Sequence, residues 1–406
     1  MPATPRPVII VLGRICHDAV AGAVWHFLNY LLGFERLGFK TYYVEWGDKW
    51  VPNPLDRSQD LEFPRVLVGD VLRRYGFGER WICQANHIQQ GFTYGPILPS
   101  SLPELYRRAE ALINVSGTHI LNDEQMECKR RVYLETDPGI PQIRLSEGDK
   151  NLASALQNHT HLFTFAENIN SPDCLLPQTS FSYHTTRQPV VMGEWATPLK
   201  NGQSRFTTIA KWAKTGKNVQ FQGDTYRWSK RDALHQYIDL PQRCPETLEL
   251  ALSKATNDDL TLLHEHGWRT TDALSVSSSL SGYRDYIRES RGEFTIAKDQ
   301  YVRLRTGWFS DRSACYLAAG KPVVTQDTGF TVSLPTGDGL FGFRTPEDAL
   351  SAFESIRSNY EYHCRAAQEI SREYFNADKV LGNILREIGL DPVRASAPDN
   401  CHALHE

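Results

Sequence analysis

The sequence contains no long apolar run and no excess of charge of either sign. The apolar run near its start, Val8 to Leu12, is far too short for a membrane span or for the core of a signal peptide. Lys and Arg number 44 against 48 Asp and Glu, so the net charge of −4 gives no global field for nucleic acid or an anionic membrane. The net charge does not exclude a local basic groove. We expect a cytoplasmic protein without a transmembrane segment.

Closely spaced cysteines and two common nucleotide-binding motifs are also missing. The eight cysteines are scattered without C-x-x-C spacing, which is typical of reduced thiols and argues against disulfide bonds or a cysteine-based metal site. No G-x-G-x-x-G follows the first predicted strand, so a dinucleotide oxidoreductase loses its main support, and no G-x-x-x-x-G-K-[ST] occurs. The sequence therefore predicts neither a bound metal nor a cofactor.

Alternating strand and helix patterns predict an α/β protein. With 406 residues the chain is expected to form two domains. The run VIIVL is followed by apolar residues at helical spacing and then by TYYVEW, which is a strand–helix–strand unit and indicates a parallel sheet. Further short apolar runs bounded by turn residues extend this first doubly wound domain over residues 1–188. Those runs lie at 111–117, 131–139 and 161–168.

The second half of the chain repeats the alternation and predicts a second domain over residues 189–370. The proline- and glycine-containing stretch at 185–204 is the expected boundary. We expect an amphipathic helix at 371–390 that crosses back to the first domain, and a frayed tail at 391–406. Within the second half, strands are predicted at 205–212, 293–297 and 321–326, and helices at 245–252 and 280–292.

The stretch WFSDRSACYLAAGKPVVTQDTGF, residues 308–330, carries the strongest chemical signal. Ser310 is placed as a helix N-cap, with Asp311, Arg312 and Ser313 in the first turn. Free backbone N–H groups and the positive end of the helix dipole make such a turn an anion site. Arg312 is predicted to clamp a phosphate, and Ser313 to donate a hydroxyl.

A polar turn follows the strand in the same stretch. Asp327, Thr328 and Gly329 come after VVTQ, at the carboxyl edge where open α/β sheets bind ligands. We expect Asp327 to accept hydrogen bonds from sugar hydroxyls, and Thr328 and Gly329 to offer backbone amides. An ordinary capped helix, buried strand and turn is the alternative interpretation.

The segment LAAGKPVVTQDTGF, residues 317–330, resembles the donor-binding half of GT-B glycosyltransferases. Segments 25–46, 262–268, 283–298 and 339–356 fall where that fold has its helices, strands and loops, and the chain is most similar to bacterial glycosyltransferase-like proteins of undefined acceptor. The resemblance implies two doubly wound Rossmann-like domains that face each other across a cleft. It also implies metal-independent transfer of a sugar from a nucleotide-activated donor to a hydroxyl or amine.

One departure from that family concerns its glutamate pair. Many retaining GT-B enzymes carry two glutamates around the donor helix, and here the matching positions are Trp308 and Cys315. The family's sugar and ribose contacts therefore do not carry over, and retention or inversion stays open. The sequence NDDL at 257–260 resembles the aspartate pair of metal-dependent glycosyltransferases, but we interpret it as the solvated face of a helix.

Further donor contacts are expected from two other segments. Lys298, after the strand EFTIA, is predicted to bind the diphosphate, with the loop arginines at 303 and 305 as weaker candidates. His266, Gly267 and Trp268 are predicted to wall the nucleotide, with Trp268 stacking on it. A solvated basic loop and a buried structural tryptophan are the respective alternatives.

Candidates for the group that activates the acceptor come from the first domain. His17 follows the first strand and is itself followed by Asp18, and histidine changes protonation near neutral pH. Asp137, at the end of another predicted strand, is the rival base or the partner of the histidine. Glu167 is a third candidate, but a carboxylate at this position is more typical of a cap or of the rim of a site.

The sequence leaves the substrates and two rival functions open. The acceptor could be a small molecule, a lipid, a protein or a nucleic acid, and acceptor-facing loops are expected at 47–62 and 83–100. A nucleotide-sugar epimerase or hydrolase of the same fold would need no acceptor pocket. A non-catalytic sugar-nucleotide-binding protein would bind the donor without turnover. The oligomeric state is not predicted.

Overall fold

Two sheets, one from each half of the chain, form the frame of the molecule. A computed structural model describes residues 5–47, 62–85, 92–196, 205–212 and 218–392. The first sheet has eight strands in the order β4-β3-β2-β1-β5-β6-β7-β8, all parallel except β4, which runs antiparallel to β3. Its strands are β1 (Val8–Leu12), β2 (Lys40–Gly47), β3 (Trp81–Ala85), β4 (Phe92–Tyr94), β5 (Ala111–Val115), β6 (Arg131–Glu135), β7 (His161–Thr164) and β8 (His184–Thr185).

The second sheet has six parallel strands in the order β13-β12-β9-β14-β15-β16. A separate two-stranded antiparallel sheet, β10-β11, comes between β9 and β12 along the chain. The strands of the second half are β9 (Arg205–Lys211), β10 (Val219–Phe221), β11 (Asp224–Tyr226), β12 (Thr247–Ser253), β13 (Arg269–Asp272), β14 (Gly292–Thr295), β15 (Val323–Gln326) and β16 (Leu340–Phe343).

Helices connect the strands of both sheets. Those of the first half are α1 (Ala21–Arg36), α2 (Glu62–Arg74), α3 (Leu102–Arg108), α4 (Asp123–Met126), α5 (Ile140–Ser146), α6 (Lys150–Gln157) and α7 (Met192–Trp195). Those of the second half are α8 (Arg231–Leu234), α9 (Leu240–Arg243), α10 (Asn257–Glu265), α11 (Ala273–Val276), α12 (Leu280–Glu289), α13 (Asp299–Arg303), α14 (Asp311–Ala318), α15 (Pro346–Ser358), α16 (Tyr360–Ile370) and α17 (Ala377–Glu387). Among the described residues, no helix combines the length and apolarity needed to cross a membrane.

The strand β1 shows why these apolar runs form central parallel strands. Its side chains alternate between two cores, with Ile9 and Val11 in one and Val8, Ile10 and Leu12 in the other. A strand that is buried on both faces reads as a continuous apolar run. The predicted α/β architecture with parallel sheets is therefore confirmed.

The helix predicted at 245–252 is wrong, because this segment forms the buried strand β12. Leu248, Leu250 and Leu252 all face one apolar core, whereas Glu249 lies on the other face and binds Arg205 at 2.9 Å. The apolar residues therefore recur with a period of two, which is typical of a strand. The glutamates and leucines, which favour helices in isolation, were outweighed by burial between β9 and β13.

The last helix, α17, packs on α1 of the first half of the chain. Arg36 donates two hydrogen bonds to the carboxylate of Asp378, at 2.9 and 3.0 Å. Leu381 and Ala377 lie against Gly33, where a side chain is absent. The tail from residue 393 onward lies outside the described residues.

Replacing Gly33 with valine should weaken this helix contact. A Cβ atom on Gly33 would lie 2.3 Å from Cδ1 of Leu381 and 3.2 Å from Cβ of Ala377, so the Leu381 side chain, or α17 itself, has to move. We expect a loss of about 1–3 kcal/mol of unfolding free energy, measured by urea denaturation. The matched control is Gly193→Val, since a Cβ atom on Gly193 has no atom within 4 Å. Equal losses in both variants would contradict close α1–α17 packing.

Candidate active site

The carboxyl edges of the two sheets meet at a pocket of about 280 Å³. Asp137 follows β6 of the first sheet, and Lys298 follows β14 of the second. The ammonium group of Lys298 lies 2.6 Å from Oδ1 of Asp137, and the hydroxyl of Tyr301 donates to the same oxygen. Two residues that the sequence predicted for different roles are therefore adjacent in one site.

Four cationic side chains line this pocket: Lys211, Lys230, Lys298 and Arg312. The carboxylates in its wall are those of Asp137 and Asp311, so cations outnumber anions. A lining of this composition suits an anionic ligand. The sequence prediction included Lys298 and Arg312 but missed the other two, and the signal for Lys211 was its place directly at the end of a predicted strand.

Lys230 is the most unusual of the four cations. Among the described residues its ammonium group has no hydrogen-bond or ion-pair partner. Burial, together with the charges of Arg312 and Lys298, lowers the pKa of Lys230 well below its ordinary value, against the attraction of Glu293. A half-buried amine without a counter-ion is costly to keep charged. An anion in the pocket would remove that cost.

Arg312 lies at the base of the pocket and is already held from three sides. Its guanidinium donates to Glu293 Oε1 at 2.5 Å, to the carbonyl of Ile209 at 2.6 Å and to Thr295 Oγ1 at 2.9 Å. Burial lowers the pKa of Arg312, but the Glu293 carboxylate outweighs this and raises it. Three of the five N–H groups of a guanidinium are therefore used within the protein. Only the other two N–H groups of Arg312 remain for the predicted contact with a phosphate.

The first turn of α14 forms another wall. Ser310 and Asp311 line the pocket, and Ser310 occupies the N-cap position without accepting a hydrogen bond through its side chain. The backbone N–H groups of this turn are therefore not capped by that hydroxyl. Ser313 differs from the prediction, because it is fully buried and its hydroxyl has no partner among the described residues.

Two tryptophans complete the walls of the pocket. Trp308 stacks on Tyr301, with ring centroids 4.2 Å apart, and its indole N–H donates to the carbonyl of Thr136 at 2.9 Å. Trp228 presents its ring to the ammonium of Lys298 at 3.5 Å. The pocket thus offers aromatic surface beside its cations. Neither tryptophan was predicted as a ligand contact. For Trp228 the reason is that no sequence pattern placed it at this edge of the sheet.

The turn at 327–329 does not present the groups that the sequence predicted for a sugar. The Asp327 carboxylate is buried and accepts hydrogen bonds from the Gly329 amide at 2.8 Å and from Arg344 at 2.7 and 2.9 Å. The Thr328 hydroxyl donates to the carbonyl of Trp308 at 2.5 Å. These residues fix the turn itself, and none of them is among the described residues that line the pocket.

His266, Gly267 and Trp268 lie at the opposite edge of the second sheet. They follow α10 and precede β13, so they are at the amino end of a parallel strand. Trp268 is buried in the core and its indole donates to the carbonyl of Ile238 at 2.7 Å, while His266 binds Asp239 at 2.6 Å. None of the three lines the pocket at the carboxyl edge, and Trp268 takes the structural position that the sequence left as its alternative.

His17 is not among the residues that line the pocket. Its carboxylate partner is Glu45 rather than Asp18, which instead pairs with Arg14 at 3.4 Å. Glu45 also accepts the backbone amides of residues 16 and 17, at 2.8 and 3.0 Å. This arrangement holds the loop after β1. The third candidate, Glu167, is likewise engaged, by two hydrogen bonds of 2.6 Å from Arg187.

The fold brings two distant cysteines together beside the same carboxylate. Ligand atoms of Cys16, Cys83 and Glu45 lie within 4.8 Å of one another, in a buried position. Sequence spacing gave no sign of this pair, because residues 16 and 83 are brought together only by the packing of β2 between β1 and β3. Burial raises the pKa of the Cys16 thiol well above its ordinary value, and Tyr43 donates to Glu45. The donors around Glu45 favour a hydrogen-bond network over metal binding at this position.

A buried carboxylate, Glu135, lies two residues before Asp137. Its Oε2 accepts from Gln142 at 2.8 Å and from Thr164 at 2.7 Å, whereas Oε1 has no partner among the described residues. Burial raises the pKa of Glu135 to about 7, against the two hydrogen bonds that favour its charged form. The side chain therefore changes protonation near neutral pH without facing solvent.

Replacing Glu135 with glutamine should change how stability depends on pH. A carboxyl group whose folded pKa of about 7 exceeds the ordinary 4.5 loses stability as pH rises through that interval. The unfolded chain releases its proton first, so about 3 kcal/mol is lost by pH 8. Urea denaturation at pH 5 and pH 8 measures this difference. It should shrink in Glu135→Gln, and an unchanged difference would contradict the assignment.

Comparison of the fold with known structures gives consistent results. Anabaena HepE in complex with UDP and glucose matches over 94% of this chain and 99% of its own, with 11% identity and a TM-score of 0.55. An alpha-glucosyltransferase in complex with UDP matches over 95% and 100%, with 11% identity and a TM-score of 0.56. TarM matches over 96% and 100%, with 7% identity and a TM-score of 0.56.

No protein-family profile matches the sequence, and no curated protein matches it. The structural matches cover nearly the whole chain in each case, so they include both sheets. At this level of identity they establish the architecture alone. The chain therefore has a GT-B glycosyltransferase-like fold, built from two Rossmann-like domains.

Proposed function

We propose that the protein is a glycosyltransferase that moves a sugar from a nucleoside-diphosphate donor to a hydroxyl or amine acceptor. The observation that carries this proposal is the pocket where cations gather around the start of α14 at the carboxyl edge of the second sheet. A helix N-terminus and several cations together suit a diphosphate. Two matching structures, HepE and the alpha-glucosyltransferase, hold UDP, so UDP is the proposed nucleotide.

Each wall of the pocket has a role in this proposal. Lys230 and Lys298 bind the diphosphate, and the charge that develops on the leaving group is stabilised by them and by the helix start. The aromatic faces of Trp228 and Trp308 are surfaces for the base or the sugar ring. Of the two residues predicted to activate the acceptor, Asp137 is proposed to hold an acceptor hydroxyl, because it lies in the pocket and comes from the first domain. His17 is proposed to support the neighbouring loop.

UDP binding tests the donor site directly. UDP at about 100 times its dissociation constant should raise the unfolding free energy by roughly 2.7 kcal/mol, which shifts the thermal midpoint by several degrees. Uridine, which lacks the diphosphate but keeps the base and ribose, is the matched control and should give little shift. An equal shift with both ligands, or none with millimolar UDP, would contradict the proposal.

Turnover separates this proposal from its two alternatives. Release of UDP from UDP-glucose that rises when an acceptor is added supports a transferase. Release that no acceptor accelerates supports a hydrolase, and interconversion of the sugar without loss of UDP supports an epimerase. Binding of UDP-glucose without any conversion supports a non-catalytic binding protein. The acceptor panel includes small molecules, lipids, proteins and DNA, since one matching alpha-glucosyltransferase structure contains a 13-mer DNA.

A further inference from the structure

Four polar side chains at one wall of the pocket form a connected series of two hydrogen bonds and one histidine–carboxylate ion pair. The Thr136 hydroxyl donates to Ser116 Oγ at 2.8 Å. Ser116 Oγ lies 3.4 Å from Nε2 of His26, and Nδ1 of His26 lies 3.2 Å from Oδ2 of Asp311. Thr136 and Asp311, the two ends, line the pocket, whereas Ser116 and His26 lie behind it.

The chain of donors and acceptors has one consistent direction. With the imidazole proton on Nδ1, Nε2 of His26 accepts from Ser116, and the Nδ1 side of the ring faces the Asp311 carboxylate. Ser116 in turn accepts from Thr136, and the Thr136 oxygen then has a lone pair left for a donor in the pocket. Both hydroxyl hydrogens therefore point towards His26. The 3.4 Å step is long for a hydrogen bond, as is common in sites without substrate.

The surroundings hold these groups in place. The His26 side chain is 9% exposed, and its ring packs edge-on against Tyr30 with centroids 5.5 Å apart. Ser116 has a φ of +60°, a strained backbone conformation for a residue other than glycine. The carbonyl of Thr136 is fixed by the indole of Trp308. A solvated surface does not require a serine with a strained backbone between a threonine and a histidine.

We propose that Thr136, Ser116 and His26 form a proton relay that takes up the proton of the acceptor hydroxyl. This inference rests on the proposed glycosyl transfer. The acceptor oxygen forms a bond to the anomeric carbon, and the bond from that carbon to the diphosphate oxygen breaks with its electron pair leaving on UDP. The acceptor proton passes to Thr136 Oγ1, the Thr136 proton to Ser116 Oγ, and the Ser116 proton to His26 Nε2.

The charges in this step explain why His26 faces Asp311. The imidazolium that forms is stabilised by the carboxylate on its other nitrogen, as in other base–carboxylate pairs. Asp137 is paired with the Lys298 ammonium, so it holds a neighbouring hydroxyl of the acceptor while the reacting hydroxyl donates to Thr136. Thr136 contacts the acceptor, and Ser116 and His26 act through it. His26 and Asp311 come from different sheets' helices, so the relay is complete only when the two domains are together.

The imidazole tautomer tests the relay independently of activity. In nitrogen-resolved NMR of histidine-labelled protein, the His26 signals are those that disappear in His26→Asn. The relay requires a proton on Nδ1 and none on Nε2 in the neutral ring. A proton on Nε2 overturns the proposal, because Nε2 then has no lone pair for the Ser116 hydroxyl.

Turnover tests the same relay with matched variants. With UDP-glucose as donor and water as acceptor, UDP release should slow about 100-fold in Thr136→Val and in His26→Asn, with the dissociation constant for UDP unchanged. Thr136→Ser keeps the hydroxyl and should restore the rate. Thr118→Val is the control, since the Thr118 hydroxyl bonds Asn114 and Val115 instead.

The outcomes separate the relay from the proposed function. If UDP binds and Thr136→Val releases it as fast as the unaltered protein, the relay is wrong while the donor site stands. If the unaltered protein does not bind UDP, the proposed function fails whatever the tautomer of His26. If UDP-glucose binds but is never converted, both the relay and the transferase proposal are contradicted.

Discussion

Replacing Lys230 with methionine should weaken UDP binding about 10–100-fold, because a charge-assisted contact to the diphosphate is worth about 1.5–3 kcal/mol. The free protein should be no less stable than before. Its lysine has no counter-ion among the described residues, and burial lowers its pKa, so its charge opposes folding. Methionine keeps the length and removes the charge.

The control for this substitution is Lys150→Met, on the exposed surface of α6. It should change neither UDP binding nor stability. Calorimetry in two buffers of different ionisation enthalpy adds a second readout. A diphosphate beside Lys230 raises the lowered pKa of its amine. At a pH above the pKa that Lys230 has in the free protein, UDP binding should therefore be accompanied by uptake of a proton, and Lys230→Met should abolish that uptake. Undiminished UDP affinity in Lys230→Met would contradict the proposed role.

Replacing Arg312 with methionine should instead destabilise the fold by about 3–5 kcal/mol, because it leaves a buried carboxylate without its cation. Glu293 has no exposed surface, and its Oε2 has no partner among the described residues. We expect the thermal midpoint to fall by about 10 °C. The loss concerns folding more than ligand binding, in contrast to Lys230.

A double variant separates charge from packing at this position. Arg312→Met combined with Glu293→Gln removes both charges and should recover a large part of the lost stability. Arg107→Met, at an exposed arginine on α3 that pairs with Glu104, is the single-site control and should lie within about 0.5 kcal/mol of the unaltered protein. If the double variant is as unstable as Arg312→Met, the buried charge is not the cause.

The sequence predicted the chain's elements well where burial imposes a simple period. The alternation of β1, α1 and β2 and the small-residue helix before β15 gave the fold and the position of α14. The rule that ligands bind at the carboxyl edge of parallel strands also brought Lys298 and Asp137 to one place, although they are far apart in sequence. These parts depend on local patterns and on one topological rule.

The remaining parts failed for two physical reasons. The segment of β12 was taken for a helix because its glutamates and leucines favour helices, and no local pattern showed that Trp268 precedes a strand rather than follows one. At 327–329 the edge was right, but nothing in the sequence shows that Asp327 is already bound by the Gly329 amide and Arg344. Lys230 could not be predicted because its position depends on the long-range packing of the segment after β11.

The proposed function requires that the pocket at the start of α14 binds the diphosphate of a nucleotide sugar. A crystal structure of the protein with UDP decides this. We expect the diphosphate to lie within hydrogen-bond distance of Lys230 and of backbone N–H groups in the first turn of α14, with Asp137 across the pocket. UDP bound elsewhere, or a pocket still empty at saturating UDP, would contradict it.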